Sequence, residues 1–161
     1  EKGTVFRVEL AFDRMEEKEK TEAESEALAG KRLLLAEDDR LCGEILCELL
    51  EDETGRPVSI TANGRAALEM FESANGEYDA IIMDVQMPVM NGYEAARAIR
   101  RSGCGNAKTV PIIALTADAS EESARSAADS GMNGCLAKPV NIDRLRKAVA
   151  AALKSLSVAY R

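Results

Sequence analysis

Five side chains have types and settings that suit joint chemistry: Glu37, Asp38, Asp84, Thr116 and Lys138. Glu37, Asp84, Thr116 and Lys138 each follow directly on a short apolar run, LLLA, AIIM, IIAL or GCLA, and Asp38 follows Glu37. Carboxylates brought close together repel and raise one another's pKa. A hard divalent cation relieves that repulsion. Mg²⁺ takes oxygen ligands, keeps several waters and is bound by a few carboxylates plus a phosphate oxygen. A lysine beside it neutralises a phosphoryl oxygen as a point charge. Asp84 is then the candidate nucleophile, because a carboxylate can attack phosphorus to give an aspartyl phosphate. The metal and Lys138 would stabilise the charge on the transferring group. Each residue alone has a plainer reading. Asp38 or Asp39 could cap a helix, Thr116 could sit in a turn, and Lys138 could be a solvated lysine. Independent caps do not explain acid, acid, hydroxyl and ammonium in this order.

The pattern of apolar residues predicts the elements that must position these groups. Strands are expected over Arg32–Ala36, Val58–Thr61, Ala80–Met83, Val110–Leu115 and Gly134–Ala137. Helices are expected over Arg40–Glu51, Gly64–Ala74, Gly92–Arg101, Ser120–Ser130 and Ile142–Leu156. Five strands alternating with five helices imply an α/β fold, a doubly wound five-stranded parallel sheet covered on both faces. In such a sheet the chemistry lies at the carboxyl ends of the strands. Upstream, Gly3–Phe12 alternates with a period of two, as a strand does. Asp13–Glu26 (DRMEEKEKTEAESE) has almost no large apolar residue and reads as a linker or a solvated helix. The expected division is a strand over 1–12, a charged linker over 13–30 and the main domain over 31–157.

A length of 161 residues suits one domain with a short extra piece, and 46% apolar residues suffice for its core. With 21 basic and 28 acidic residues the net charge is −7. Such a chain lacks the basic field that non-specific nucleic-acid binding requires. Residues 1–30 carry nine acids and five bases, so much of the acidity lies outside the main domain. There is no histidine, which removes Ser-His-Asp and Cys-His catalysis, His-ligated zinc and a phosphohistidine on this chain. Cys42, Cys47, Cys104 and Cys135 form no C-x-x-C pair and are expected to be reduced, mostly buried thiols. No membrane span or signal peptide is visible. A first residue of Glu1 rather than Met suggests a fragment of something longer.

The runs LLLAEDDRL, IIMDVQMPVMNGYEAARAIR, PIIALTA and GMNGCLAKPV, within residues 31–156, resemble the receiver domain of two-component response regulators. The resemblance implies the flavodoxin-like receiver fold, Glu37 and Asp38 as an acidic pair, and Asp38 as a direct Mg²⁺ ligand. It implies that Asp84 is phosphoacceptor and ligand, and that Gln86 offers its backbone carbonyl to the metal. Thr116 would be the switch hydroxyl and Lys138 the phosphate-pairing lysine, followed by a cis Pro139. Asp39 is assigned to capping. One position departs from the pattern: three residues before the lysine, where many receivers carry an aromatic, stands Cys135. The helix over 120–130 has only Ala124, Ala127 and Ala128 on its apolar face, which suggests weak packing.

GTVFRVELAF is similar to the closing strand of a histidine-kinase ATP-binding domain. Together these features suggest the C-terminal receiver of a hybrid sensor histidine kinase, with no kinase activity in this fragment. The implied partners are a phosphohistidine donor and a histidine-phosphotransfer protein, in the cytoplasm, without nucleic acid or membrane contact. No DNA-binding region is expected after the last helix. The partner face is expected on the first helix, where Leu41, Cys42, Leu46 and Leu50 exceed what one buried face needs. The strand over residues 1–12 is expected to pair, by preference with a second copy. Two other classes fit the sequence less well. A haloacid-dehalogenase-type phosphatase wants a second Asp where Gln86 stands. A non-phosphorylated interaction module on the same fold has no use for the full acidic set.

Overall fold

The computed structural model describes residues 22–159, except residue 119, with side chains described up to residue 155. The strand expected over residues 1–12, and any pairing through it, lies outside the described residues. The five strands are β1 (Leu33–Ala36), β2 (Ser59–Thr61), β3 (Ala80–Asp84), β4 (Ile112–Thr116) and β5 (Gly134–Ala137). They form one parallel sheet in the order β2-β1-β3-β4-β5. The first helix, α1, covers residues 22–28. It is followed by α2 (Arg40–Thr54), α3 (Gly64–Ser73), α4 (Gly92–Ser102), α5 (Glu121–Asp129) and α6 (Ile142–Ala159). The fold is thus the expected doubly wound α/β sheet with six helices instead of five.

Alternate residues of each strand feed opposite faces of the sheet. Leu34, Ala36, Ile81, Met83, Ile112 and Ala114 pack with Phe71, Ala95 and Ile99 of α3 and α4. Leu33, Leu35, Ile82, Ile113 and Leu115 pack with Leu46, Leu50, Leu145 and Val149 of α2 and α6. Continuous burial of LLLA, AIIMD and IIALT follows from being covered on both sides. The edge strand β5 is only half-buried, and α5 buries a single residue, Ala127.

Within the stretch read as a linker or solvated helix, α1 is not wholly solvated. Leu28 at its end is fully buried in the α2–α6 core. The thiols also differ from expectation. None of the four is buried; Cys42 is exposed and the others are half-buried. Apolar residue type is a poor guide to burial for residues at the margins of helices and on an edge strand. The expected surplus on α2 divides into two stripes. Leu46 and Leu50 are core, whereas Leu41, Ile45 and Leu49 face solvent with Cys42.

Candidate functional site

Register places the chemical groups. Ala36 pairs with Met83, Asp84 with Leu115, and Thr116 with Ala137. Glu37, Asp84, Thr116 and Lys138 therefore all emerge at the carboxyl end of the sheet, on β1, β3, β4 and β5 or the residue just past them. Asp84 and Thr116 are the last residues of their strands rather than the first beyond them.

The helix after β1 starts because Asp39 caps it: the Cys42 amide donates to Asp39 Oδ1 at 2.8 Å. Those bonds, from Cys42 above all, hold the Asp39 carboxyl below its ordinary range. This leaves Glu37 and Asp38 for the site. Glu37 is buried, Asp84 is buried and Asp38 is exposed. One carboxylate oxygen from each lies within 4.8 Å of the others.

Lys138 reaches into this cluster. Its Nζ lies 2.6 Å from Asp84 Oδ2 and 2.8 Å from the Glu37 carboxylate. Burial works to lower the Lys138 pKa, but the hydrogen bonds to Asp84 and Glu37 outweigh it and hold the ammonium above its ordinary value. Burial pushes the Glu37 carboxyl up; the Asp84 charge adds to this, and the Lys138 bond opposes it. One ammonium thus pairs with two of three clustered carboxylates. Buried Glu37 Oε2 lies near Nζ yet has no directed hydrogen bond.

The other Asp84 oxygen, Oδ1, accepts from the Gln86 backbone amide at 3.0 Å. Sequence reasoning gave Gln86 only a carbonyl role and missed this donor. It also missed Gly92. A Cβ there would stand 2.3 Å from the Asp84 carbonyl oxygen, so only glycine lets α4 start against the end of β3. The Asn-Gly pair at 91–92 was the available signal. Asn91 forms a capping box with Glu94 at that same start. In the loop between Asp84 and Asn91, Val89 has φ 70° and is 82% exposed.

Thr116 is buried, and among the described residues its hydroxyl accepts only a long 3.4 Å bond from the Asp118 amide. Its carbonyl accepts from the Lys138 amide at 2.7 Å, and the Lys138–Pro139 peptide is cis, as expected. Cys135 lies half-buried near Tyr93 of α4, whose hydroxyl is 3.5 Å from the Ser123 carbonyl of α5. Beside the acidic cluster runs a groove of about 210 Å³ lined by Cys42, Ile45, Leu46, Leu49, Pro139 and Val140.

Comparison with known proteins agrees with this geometry. The family described as "Response regulator receiver domain" matches residues 33–150. A probable histidine kinase 2 from Oryza sativa subsp. indica is 36% identical over 148 residues, covering 84% of the chain. A hybrid signal transduction histidine kinase from Dictyostelium discoideum is 32% identical over 114 residues, covering 69%. The chain spans only 14% and 6% of these curated relatives. Among solved structures, the chemotaxis response regulator CheY4 of Vibrio cholerae is 33% identical with a TM-score of 0.70, covering 77% of this chain and 99% of that one. The receiver domain of a sensor histidine kinase from Pseudomonas aeruginosa is 36% identical with a TM-score of 0.66, covering 78% of this chain and 99% of that one. That structure has a magnesium ion coordinated in its active site cleft.

Proposed function

The chain belongs to the receiver domains of two-component signalling, homologous to those of hybrid histidine kinases, and we propose that it accepts a phosphoryl group from phosphohistidine onto Asp84. The observation that carries this reading is the one-sided charge balance: Glu37, Asp38 and Asp84 around a single Lys138 ammonium. The donor set is all hard oxygen, with one buried carboxylate oxygen lacking a directed partner, which fits Mg²⁺. Glu37, Asp38, Asp84 and the Gln86 carbonyl would hold it. Bound there, the ion would offset the carboxylate charge and the charge on the phosphoryl oxygens.

The protein's own groups supply the rest. An Asp84 carboxylate oxygen attacks phosphorus as the bond to the donor imidazole breaks, and the imidazole leaves with the electron pair. The Gln86 amide holds Asp84 Oδ1 and so fixes the plane of the carboxylate. Lys138 is already within bonding distance of Asp84 and is placed to follow the charge onto a phosphoryl oxygen. Thr116, weakly bonded at the next strand end, is free to turn its hydroxyl to the phosphoryl group.

The donor must come from another polypeptide region, since the chain has no histidine. The exposed stripe of Leu41, Ile45 and Leu49 beside the groove at Pro139 suits an apolar helical partner, the kinase core or a histidine-phosphotransfer protein that takes the group onward. A cytoplasmic setting goes with this role. Among the described residues no helix is long and apolar enough to cross a membrane. The test is labelling by acetyl phosphate with Mg²⁺. Wild type takes up acid-stable, base-labile label and Asp84→Asn takes up none; label persisting on Asp84→Asn overturns the assignment. Beryllofluoride binding that requires Mg²⁺ separates this reading from a non-phosphorylated module.

A further inference from the structure

A second cation is buried among acids outside the acidic site. Arg146 of α6 is 7% exposed. Its Nη1 donates to Glu53 Oε1 at 2.7 Å, in the last turn of α2, and its Nη2 to Asp143 Oδ1, in the first turn of α6. Its Nε faces Glu24 Oε2 of α1 at 3.9 Å. That is an ion pair but too long for a hydrogen bond. Both atoms are buried and neither has a hydrogen-bond partner among the described residues.

Other contacts seat the same helix. The Ser25 hydroxyl donates to Glu53 Oε2 at 3.0 Å. The Gly30 amide donates to the Thr54 carbonyl at 2.7 Å, and Arg56 donates to the Gly30 carbonyl at 3.1 Å. Leu28 is fully buried. Burial of a leucine is favourable but non-directional; it would hold α1 without fixing how the helix is turned. A buried ion network is a poor source of stability, since apolar residues of like volume often do as well. What the guanidinium adds is direction, because its donors diverge in a fixed plane. Here two of them bond acids on α2 and α6, and the Nε edge is left to pair in charge with Glu24 of α1.

We propose that Arg146 is the positioning residue of a rigid junction: it clasps α1 against α2 and α6, so that the helix over residues 22–28 keeps one fixed orientation on the domain. The interaction surface is the α2–α6 face, and its occupant is this chain's own segment 22–30. The stripe of Leu41, Ile45 and Leu49 on α2 stays open to a partner while α1 is seated.

Hydrogen exchange on the full chain tests this. The amides of Ala29, Gly30 and Lys31, bonded to Ser25, Thr54 and Leu28, should exchange at least ~10-fold more slowly than an unstructured peptide. Arg146→Met should speed exchange over 22–30 by ~10-fold or more, with the β3 amides unchanged. Glu24→Gln should act in the same direction, less strongly. Arg146→Lys, which keeps the charge without the fork, should not restore protection. Labelling of Asp84 by acetyl phosphate should be unchanged in all three, so failure here is distinct from failure of the receiver reading. Unprotected amides over 29–31 in wild type overturn the proposal. So does unchanged exchange over 22–30 in Arg146→Met. If Arg146→Met loosens β3 as well, Glu24→Gln decides, and unchanged exchange over 22–30 there overturns it.

Discussion

Two cations in this domain sit among excess carboxylates, and they differ in kind. Lys138 serves Glu37 and Asp84, with Asp38 beside them, and its side chain stays 28% exposed. Arg146 serves Glu53, Asp143 and Glu24, and its side chain is 9% exposed. A lysine ammonium is a point charge on a flexible stem, able to leave one oxygen for another. A guanidinium holds several partners at once in set directions. The first arrangement suits a site that must take a new anion and let it go. The second suits a contact that is meant to last. One surplus of negative charge is therefore put to opposite uses, and the choice of cation tells which.

The largest effect should come from removing the mobile cation. Lys138→Met should slow labelling of Asp84 by acetyl phosphate by about 100-fold or more, the size expected for losing a donor to developing charge. Unchanged labelling would mean that the lysine only shields the carboxylates. Replacing the fixed cation by the mobile type, Arg146→Lys, should leave labelling intact. It should lower unfolding stability by about 2 kcal/mol, since charge-assisted bonds to two helices are lost or lengthened; chemical denaturation measures it.

Leaving both cations alone sharpens the contrast between chemistry and docking. Leu41→Asp and Ile45→Asp should slow transfer from a phosphohistidine donor roughly 10-fold, about what the loss of one apolar contact costs. Labelling by acetyl phosphate should be unchanged. Equal loss with both donors would remove α2 as the docking face.

The smallest effect is a pH difference between the two cations. The Lys138 pKa is raised above 10.5. A raised basic group stabilises the fold fully below its unfolded pKa, and that contribution fades as pH rises through its folded pKa. The stability gap between wild type and Lys138→Met should therefore narrow above about pH 10.5. Any difference between wild type and Arg146→Met should stay constant over that range, because the guanidinium does not titrate there. Paired denaturation series at neutral and alkaline pH check both.

The acidic site was legible in the sequence because Glu37, Asp84, Thr116 and Lys138 each follow a short apolar run and Asp38 stands next to Glu37. Glu37, Asp84, Thr116 and Lys138 need only parallel register to meet. Asp39 was legible as a cap because it stands one residue before the helical pattern. The seat of α1 was not legible. DRMEEKEKTEAESE offers no apolar stripe, and the helix is held by one leucine just beyond it and by polar contacts to Glu53, Thr54, Arg56 and Arg146, all distant along the chain. Ion pairs between distant elements leave no local pattern. The split of α2 into a buried and an exposed stripe was legible only as excess, since spacing alone does not say which side the neighbours cover. Gly92 shows the same limit: its need is set by the Asp84 carbonyl of another element.

The central claim is that Asp84 takes the phosphoryl group from phosphohistidine. Its most direct test is to incubate the chain with a phosphorylated histidine-containing donor, with and without Mg²⁺, reduce with borohydride and locate the modified peptide by mass spectrometry. The account predicts reduction of one aspartyl phosphate, at position 84, and only with Mg²⁺ present. Modification at Asp38 or Asp39, or at Asp84 to the same extent without the metal, would contradict it.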